Sequence, residues 1–131
     1  MKRLFGKKGF TLIELVLVMV LLAALAAVIY PKYLDLRDDA HKAQDQAIIG
    51  AWRSGVHIYF ARHKSFPATD TDLEGCLDGG LPSGWTVQDN NGTFTISCNG
   101  LPSDTTKKAI WIYDPQNGTF TYDSQNSGHG F

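Results

Sequence analysis

The chain has 131 residues, which is enough for one small domain of about one hundred residues and an appendage. Its formal charge is −1, but four of its 12 basic residues lie among the first eight positions, so the remainder carries eight basic against 13 acidic residues. A net acidic chain without a Lys/Arg stripe is not a nucleic-acid binder, and we expect no nucleic acid as its main ligand.

The dominant feature is an apolar stretch, residues 10–30, which contains a single charge at Glu14. Twenty-one residues at about 1.5 Å each form a helix of roughly 32 Å, which matches a hydrocarbon core of about 30 Å. The preceding lysines favour a cytoplasmic start, so we expect everything after Pro31 on the far side of the membrane. A carboxylate in hydrocarbon costs a few kcal/mol, which marks Glu14 as a functional candidate.

The sequence Gly9-Phe10-Thr11-Leu12-Ile13-Glu14-Leu15-Val16 resembles the signature of type IV pilins, which the pseudopilins of type II secretion share. The resemblance implies that residues 1–9 are a basic leader. It implies cleavage between Gly9 and Phe10 by a membrane protease, the prepilin peptidase, which then N-methylates Phe10. It also implies that Glu14 pairs with the Phe10 amine of an adjacent subunit during filament assembly.

Three other interpretations of the apolar stretch compete. A secretory signal peptide could be cut among the alanines from Ala23 to Ala27, but Glu14 fits poorly in its apolar region. A plain membrane anchor needs neither the Gly-Phe junction nor Glu14. A buried helix of a soluble protein would rarely be apolar on every face over residues 15–29.

Residues 31–64 predict an amphipathic helix that continues the first one, with Pro31 as a kink rather than a stop. Many pilins have a helix-breaking glycine near the position of Ala23, whereas here Pro31 is the disruptive residue, and we assign it to assembly. Gly50 and Gly55 predict either close approach of another backbone or simple tolerance. The predicted buried stripe comprises Leu36, Ala40, Ala43, Ala47, Ala51, Gly55 and Ile58, broadened by Ile48, Trp52, Val56 and Tyr59, with Asp35, Asp38, Asp39, Lys42 and Asp45 mostly opposite.

The exported residues 65–131 predict a short helix capped by Thr71 and then two β-hairpins. The first pairs Trp85–Gln88 with Thr93–Cys98, and the second pairs Ala109–Asp114 with Thr119–Tyr122. The expected fold class is therefore α+β: a long N-terminal helix whose amphipathic half packs on a four-stranded antiparallel sheet.

Cys76 and Cys98 are the two cysteines, and both lie in the exported part. An even count in an oxidising compartment predicts a Cys76–Cys98 disulfide, with two buried free thiols as the alternative. We predict no metal site, because the sequence has no C-x-x-C motif and no histidine pair near the cysteines. The histidines show no ligand spacing and no catalytic or cofactor motif is present, so we predict neither enzyme nor cofactor.

Three functions remain open. The first is a structural subunit of a type IV pilus, polymerised by an ATPase and an inner-membrane platform. The second is a pseudopilin of type II secretion or a minor pilin of DNA uptake. The third is a membrane-anchored binding domain that does not polymerise. A weaker similarity to mannose-sensitive haemagglutinin pilins, in Pro31-Lys32-Tyr33-Leu34-Asp35-Leu36 and the helix beyond it, favours the first. All three place the chain in the inner membrane with a periplasmic C-terminus, and the first two then place it in a filament.

Overall fold

The computed structural model describes residues 9–130. It contains two helices, α1 (Leu12–His63) and α2 (Asp70–Glu74), followed by strands β1 (Thr86–Asp89), β2 (Phe94–Ser97), β3 (Ile110–Asp114) and β4 (Thr119–Tyr122). The predicted α+β class is confirmed. The chain divides into two compact units, one through Asp35 and one from Leu36 onward, and α1 contributes to both.

In the first unit, α1 is exposed along its whole described length through Tyr33. Every described residue through Tyr33 is exposed, although nearly all of them are apolar. An 18-residue window of α1 has a mean hydropathy of 3.0 and none of it is buried, so by length and composition this helix can cross a membrane. Pro31 lies inside α1 and is exposed, so the helix continues through the proline as expected.

In the second unit the four strands form an antiparallel sheet in the order β1-β2-β3-β4. The first hairpin turns at Asn91 and Gly92, with φ values of 56° and 97°, and positive φ at both positions is what a turn that matches the strand twist requires. Both predicted hairpins are confirmed, with strand ends shifted by one residue at Trp85, Gln88, Thr93, Cys98 and Ala109.

The core lies between this sheet and α1. Alternate strand residues point inward (Phe94, Ile96, Trp111, Tyr113 and Phe120), and they meet Ile49, Trp52 and Val56 of α1. Trp52 is fully buried, its ring lies 5.9 Å from that of Phe120, and its Nε1 donates a 2.6 Å hydrogen bond to the Leu73 carbonyl. Aromatic side chains of this size dominate core energetics, so Trp52 fixes which face of α1 the sheet covers.

That face is opposite to the predicted stripe. The residues of α1 that are buried are Asp45, Ile49, Trp52 and Val56. The predicted burial of Trp52 and Val56 is confirmed. The predicted burial of the small residues along the stripe is wrong, and so is the placement of Asp45 on the solvent side. The sheet covers the face of α1 that carries the larger side chains, and the face with the smaller ones stays exposed. We call this exposed stripe the alanine face: Leu36, Ala40, Ala43, Ala47, Ala51 and Ile58.

Two local predictions are also resolved. A Cβ at Gly55 would lie 2.0 Å from the Cys76 carbonyl oxygen, whereas a Cβ at Gly50 would meet nothing within 4 Å. Close backbone approach therefore explains Gly55 only. The N-cap of α2 is Thr69, whose hydroxyl accepts from the Asp72 amide at 3.1 Å, and not Thr71, because α2 begins two residues earlier than predicted.

Candidate functional site

The start of α1 is held by a reciprocal pair of hydrogen bonds. The Thr11 amide donates to Glu14 Oε2 at 2.9 Å, and the Glu14 amide donates to Thr11 Oγ1 at 3.3 Å. Since α1 begins at Leu12, Thr11 is the N-cap and Glu14 occupies the third helical position. This is a capping box, which satisfies two backbone donors that the helix itself leaves unpaired.

This role was not among the sequence predictions, although Thr-x-x-Glu before an apolar run is its known signal. Glu14 thus has a structural reason to be present, independent of any partner. Both members of the box follow the Gly9–Phe10 junction, so a chain that begins at Phe10 keeps the cap intact. Only Oε2 of Glu14 is engaged among the described residues, and Oε1 remains available to another donor.

The junction itself is accessible. Gly9 and Phe10 lie before the first turn of α1, and Phe10 is 92% exposed. A Cβ at Gly9 would have no neighbour within 4 Å, so the space around the junction is open. The other residues of the predicted leader, 1–8, lie outside the described part of the chain.

The predicted disulfide is not formed in the structure. Cys76 and Cys98 are both free thiols with separate partners: Cys76 Sγ donates to the Asp72 carbonyl at 3.2 Å, and Cys98 Sγ donates to the Asn99 carbonyl at 3.1 Å. Burial raises the pKa of both thiols, that of Cys98 to about 12, so both are neutral and weakly nucleophilic.

The reason is the position of each thiol along α1. The Cys76 backbone contacts Gly55, whereas Cys98 Sγ lies within 4.8 Å of a carboxylate oxygen of Asp45. Ten residues separate Asp45 from Gly55, which is about 15 Å along the helix axis. Disulfide geometry requires Cα atoms within about 7 Å, so contacts at such separate positions of α1 do not favour a bond between the two cysteines.

α1 begins two residues after a Gly-Phe junction, is capped, and is apolar through Tyr30 except for Glu14. Its second half packs on an antiparallel sheet, and the two features together define a pilin-like architecture. Residues 4–30 match the prokaryotic N-terminal methylation motif. The chain is 40% identical over 94 residues to the type IV narrow pilus major component PilA5 of Thermus thermophilus, a match that covers 70% of this chain and 78% of that protein. The chain belongs to the type IV pilin family.

Other relatives match less of their own length. A fimbrial protein of Neisseria meningitidis is 35% identical over 65 residues, which cover 50% of this chain and 38% of that protein. Core protein G of the type II secretion system of Vibrio cholerae is 31% identical over 74 residues, which cover 56% of this chain and 51% of that protein. The fimbrial protein and core protein G therefore each match about half of this sequence.

Proposed function

We propose that this chain is a structural subunit of a type IV pilus-like filament, anchored in the membrane by residues 10–30 before assembly. The observation that supports this most is the apolar surface of α1 that the chain's own domain leaves bare. Residues 10–30 are exposed on every side, and the alanine face continues an exposed apolar stripe into the second unit. Contiguous apolar surface of this extent marks a membrane or protein contact. A filament subunit makes both contacts in turn, first with the membrane and then with the helices of neighbouring subunits.

Maturation at the Gly9–Phe10 bond is the first step of the proposal, with a prepilin peptidase as the processing partner. The test is the intact mass of the protein extracted from its native membrane. We expect the mass of residues 10–131 plus one methyl group. A chain that still begins at Met1, or one cut near Ala27, would contradict the proposal.

Glu14 supplies the assembly step. Once residues 1–9 are removed, Phe10 carries a positively charged amine, and an unpaired carboxylate in a filament core costs several kcal/mol. We infer that Glu14 keeps Oε2 on its own Thr11 amide and offers Oε1 to the Phe10 amine of an adjacent subunit. One carboxylate then caps its helix and sets the axial register of the filament.

The second candidate, a pseudopilin of type II secretion, is favoured by the similarity to core protein G. The two candidates share the processing step and differ in the product. Shearing the cells and probing the released material decides between them: abundant surface filaments containing this chain support the pilus, and their absence together with a secretion defect in a deletion strain supports the pseudopilin. If the chain is processed but polymerises in neither machine, the result would support the third hypothesis, a membrane-anchored binding domain.

The alanine face offers a separate test of polymerisation. Ala47→Glu places a charge on this exposed stripe, and Gln46→Glu, also exposed, places the same charge beside it. Neither residue is buried, although Gln46 lines a cavity together with Ile49 and Trp111. We expect Ala47→Glu to reduce filament yield strongly and Gln46→Glu to reduce it less, with equal membrane levels of both subunits. Equal yields would exclude this face from the subunit contacts.

The remaining partners follow from the same proposal. The polymerising machinery is an inner-membrane platform with its ATPase, and the domain after Pro31 is periplasmic before it reaches the filament. We assign the chain no catalytic role. Pro31 is placed where the membrane-held helix gives way to the globular domain, so a change in helix geometry on assembly would begin there.

A further inference from the structure

Three side chains far apart in sequence meet inside the second unit. Asp45 comes from α1, Cys98 follows β2, and His129 lies in the C-terminal tail. A carboxylate oxygen, a thiol sulfur and an imidazole nitrogen from the three lie within 4.8 Å of one another. The three residues are 2%, 0% and 8% exposed, so the cluster is closed to bulk water.

This arrangement is costly without a cation. Asp45 Oδ2 is buried and has no hydrogen-bond partner among the described residues. A buried polar atom left unpaired next to an aromatic core needs a compensating interaction, and a divalent cation would supply it.

The donors indicate which cation. One sulfur, one nitrogen and one oxygen form a mixed set that suits zinc, which takes Cys, His and Asp in tetrahedral sites, and not calcium or magnesium, which take oxygen donors. His41 lies one turn before Asp45 on the same face of α1 and also has a buried Nδ1 without a partner among the described residues. The Asp45 carboxylate also has an electrostatic interaction with His41, which makes His41 the candidate donor for a fourth position.

We propose that Asp45, Cys98 and His129 bind one zinc ion, with His41 as the fourth ligand. Binding replaces the proton of the Cys98 thiol with a zinc–sulfur bond and releases that proton to solvent, so affinity rises with pH. The site joins α1, the end of β2 and the C-terminal tail. It does not depend on the filament function proposed above, since none of its residues lies in residues 10–30 or on the alanine face.

The proposal requires a free Cys98 thiol, which gives a first measurement. Alkylation of the unfolded, unreduced, chelator-treated protein counts the thiols. We expect two per chain. A single Cys76–Cys98 disulfide in the native exported protein would consume the sulfur ligand and overturn the proposal.

The main experiment uses the full, untagged chain in detergent, stripped of metal with a chelator. Titration with Co²⁺ reports the ligand set, because a bound thiolate gives a cobalt–sulfur charge-transfer band in the near ultraviolet. We expect the band to saturate at one Co²⁺ per chain and to disappear on addition of one equivalent of Zn²⁺. Absence of the band in the wild-type chain would overturn the proposal without any variant.

The matched control is the other cysteine. Cys76→Ser keeps the cluster and should titrate like wild type, whereas Cys98→Ser should lose the band. Asp45→Asn, which preserves side-chain shape, should weaken zinc affinity by about a hundredfold or more, since even indirect partners of a metal cost ten- to hundredfold. Far-ultraviolet circular dichroism establishes that each variant is folded. A folded Cys98→Ser variant that retains the band, or a Cys76→Ser variant that loses it, would contradict the assignment.

His41→Ala tests the fourth ligand. We expect the cobalt band to persist with a changed visible spectrum, because its position depends on the fourth donor, and zinc affinity to fall at least tenfold. An unchanged spectrum and affinity would remove His41 from the site. Added zinc should also raise the Tm of wild type and of Cys76→Ser but not that of Cys98→Ser, because a ligand that binds only the folded state stabilises it.

Discussion

α1 is one continuous helix, but its N-terminal part is exposed and its C-terminal part packs against the sheet. From Leu12 to Tyr33 every residue of the helix is exposed, whereas between Asp45 and Val56 the helix contains four buried residues. Ile29 is 59% exposed and Ile49 is 3% exposed, although they are the same residue type in the same helix. The apolar side chains near Ile49 therefore stabilise the fold, whereas those near Ile29 remain free to contact lipid or neighbouring subunits.

The largest effect is expected at Glu14, where the two roles can be separated. Glu14→Gln can keep the capping box, because glutamine also serves at this position, but it removes the charge. Glu14→Leu removes both. We predict normal membrane insertion and cleavage for both variants and no sheared filaments from either, measured together by immunoblot. Normal filament yield from Glu14→Gln would mean that capping, and not pairing with an amine, is the function of Glu14.

The isoleucine pair gives the next effect. Ile49→Ala opens a cavity in the core and should lower the free energy of unfolding by about 2–5 kcal/mol. Ile29→Ala should leave it unchanged, because that side chain contributes nothing to the core. Tryptophan fluorescence during denaturation measures this directly, since all three tryptophans, Trp52, Trp85 and Trp111, are core residues. Similar losses in both variants would refute the division of α1.

The glycine pair tests the close approach at the other end of the buried face. Gly55→Ala must displace the Cys76 backbone, which we expect to cost about 1–3 kcal/mol as overpacking does. Gly50→Ala meets open space and should gain up to about 1 kcal/mol from helix propensity. Opposite signs in the two Tm shifts are the expected result, and stabilisation by both changes would show that α1 does not approach Cys76 so closely.

The smallest effect concerns Asp38, near the beginning of the second unit. The Ser103 hydroxyl donates to its carboxylate, and so does the Ser103 amide at 3.0 Å. The hydroxyl bond lowers the pKa of Asp38 below its ordinary 3.8. A lowered carboxyl pKa stabilises the fold above pH 3.8, and that stabilisation is lost as the pH falls through the lowered value.

Ser103→Ala should therefore lower the Tm slightly at neutral pH, by less than either glycine change, and the difference from wild type should shrink below pH 3.8. Ser124→Ala removes an exposed hydroxyl elsewhere in the second unit and should have no pH-dependent effect. A Ser103→Ala difference that is constant with pH would show that Asp38 does not depend on this hydrogen bond.

Local signals in the sequence were sufficient to predict much of the fold and part of the candidate site. The Gly9–Phe10 junction, the apolar length of residues 10–30, the Asn91-Gly92 turn and the alternation in β2 and β3 each depend on neighbouring residues, so they predicted the membrane helix and both hairpins. The capping box at Thr11 and Glu14 is equally local, because its two members lie three residues apart and their Thr-x-x-Glu motif is visible in the sequence itself.

What the sequence could not determine is which surfaces of α1 would be covered. Periodicity predicted one buried stripe of small residues, broadened by Trp52 and Val56, and only contact with the strand aromatics selected the face that contains Trp52. The same selection buried Asp45, placed the two cysteines against α1 positions that lie about 15 Å apart along the helix axis, and brought Cys98 and His129 to Asp45 across 53 and 84 residues of sequence. Spacing rules operate within a helix turn or a strand pair, whereas a site assembled from a helix, a strand end and a tail exists only once the core has packed.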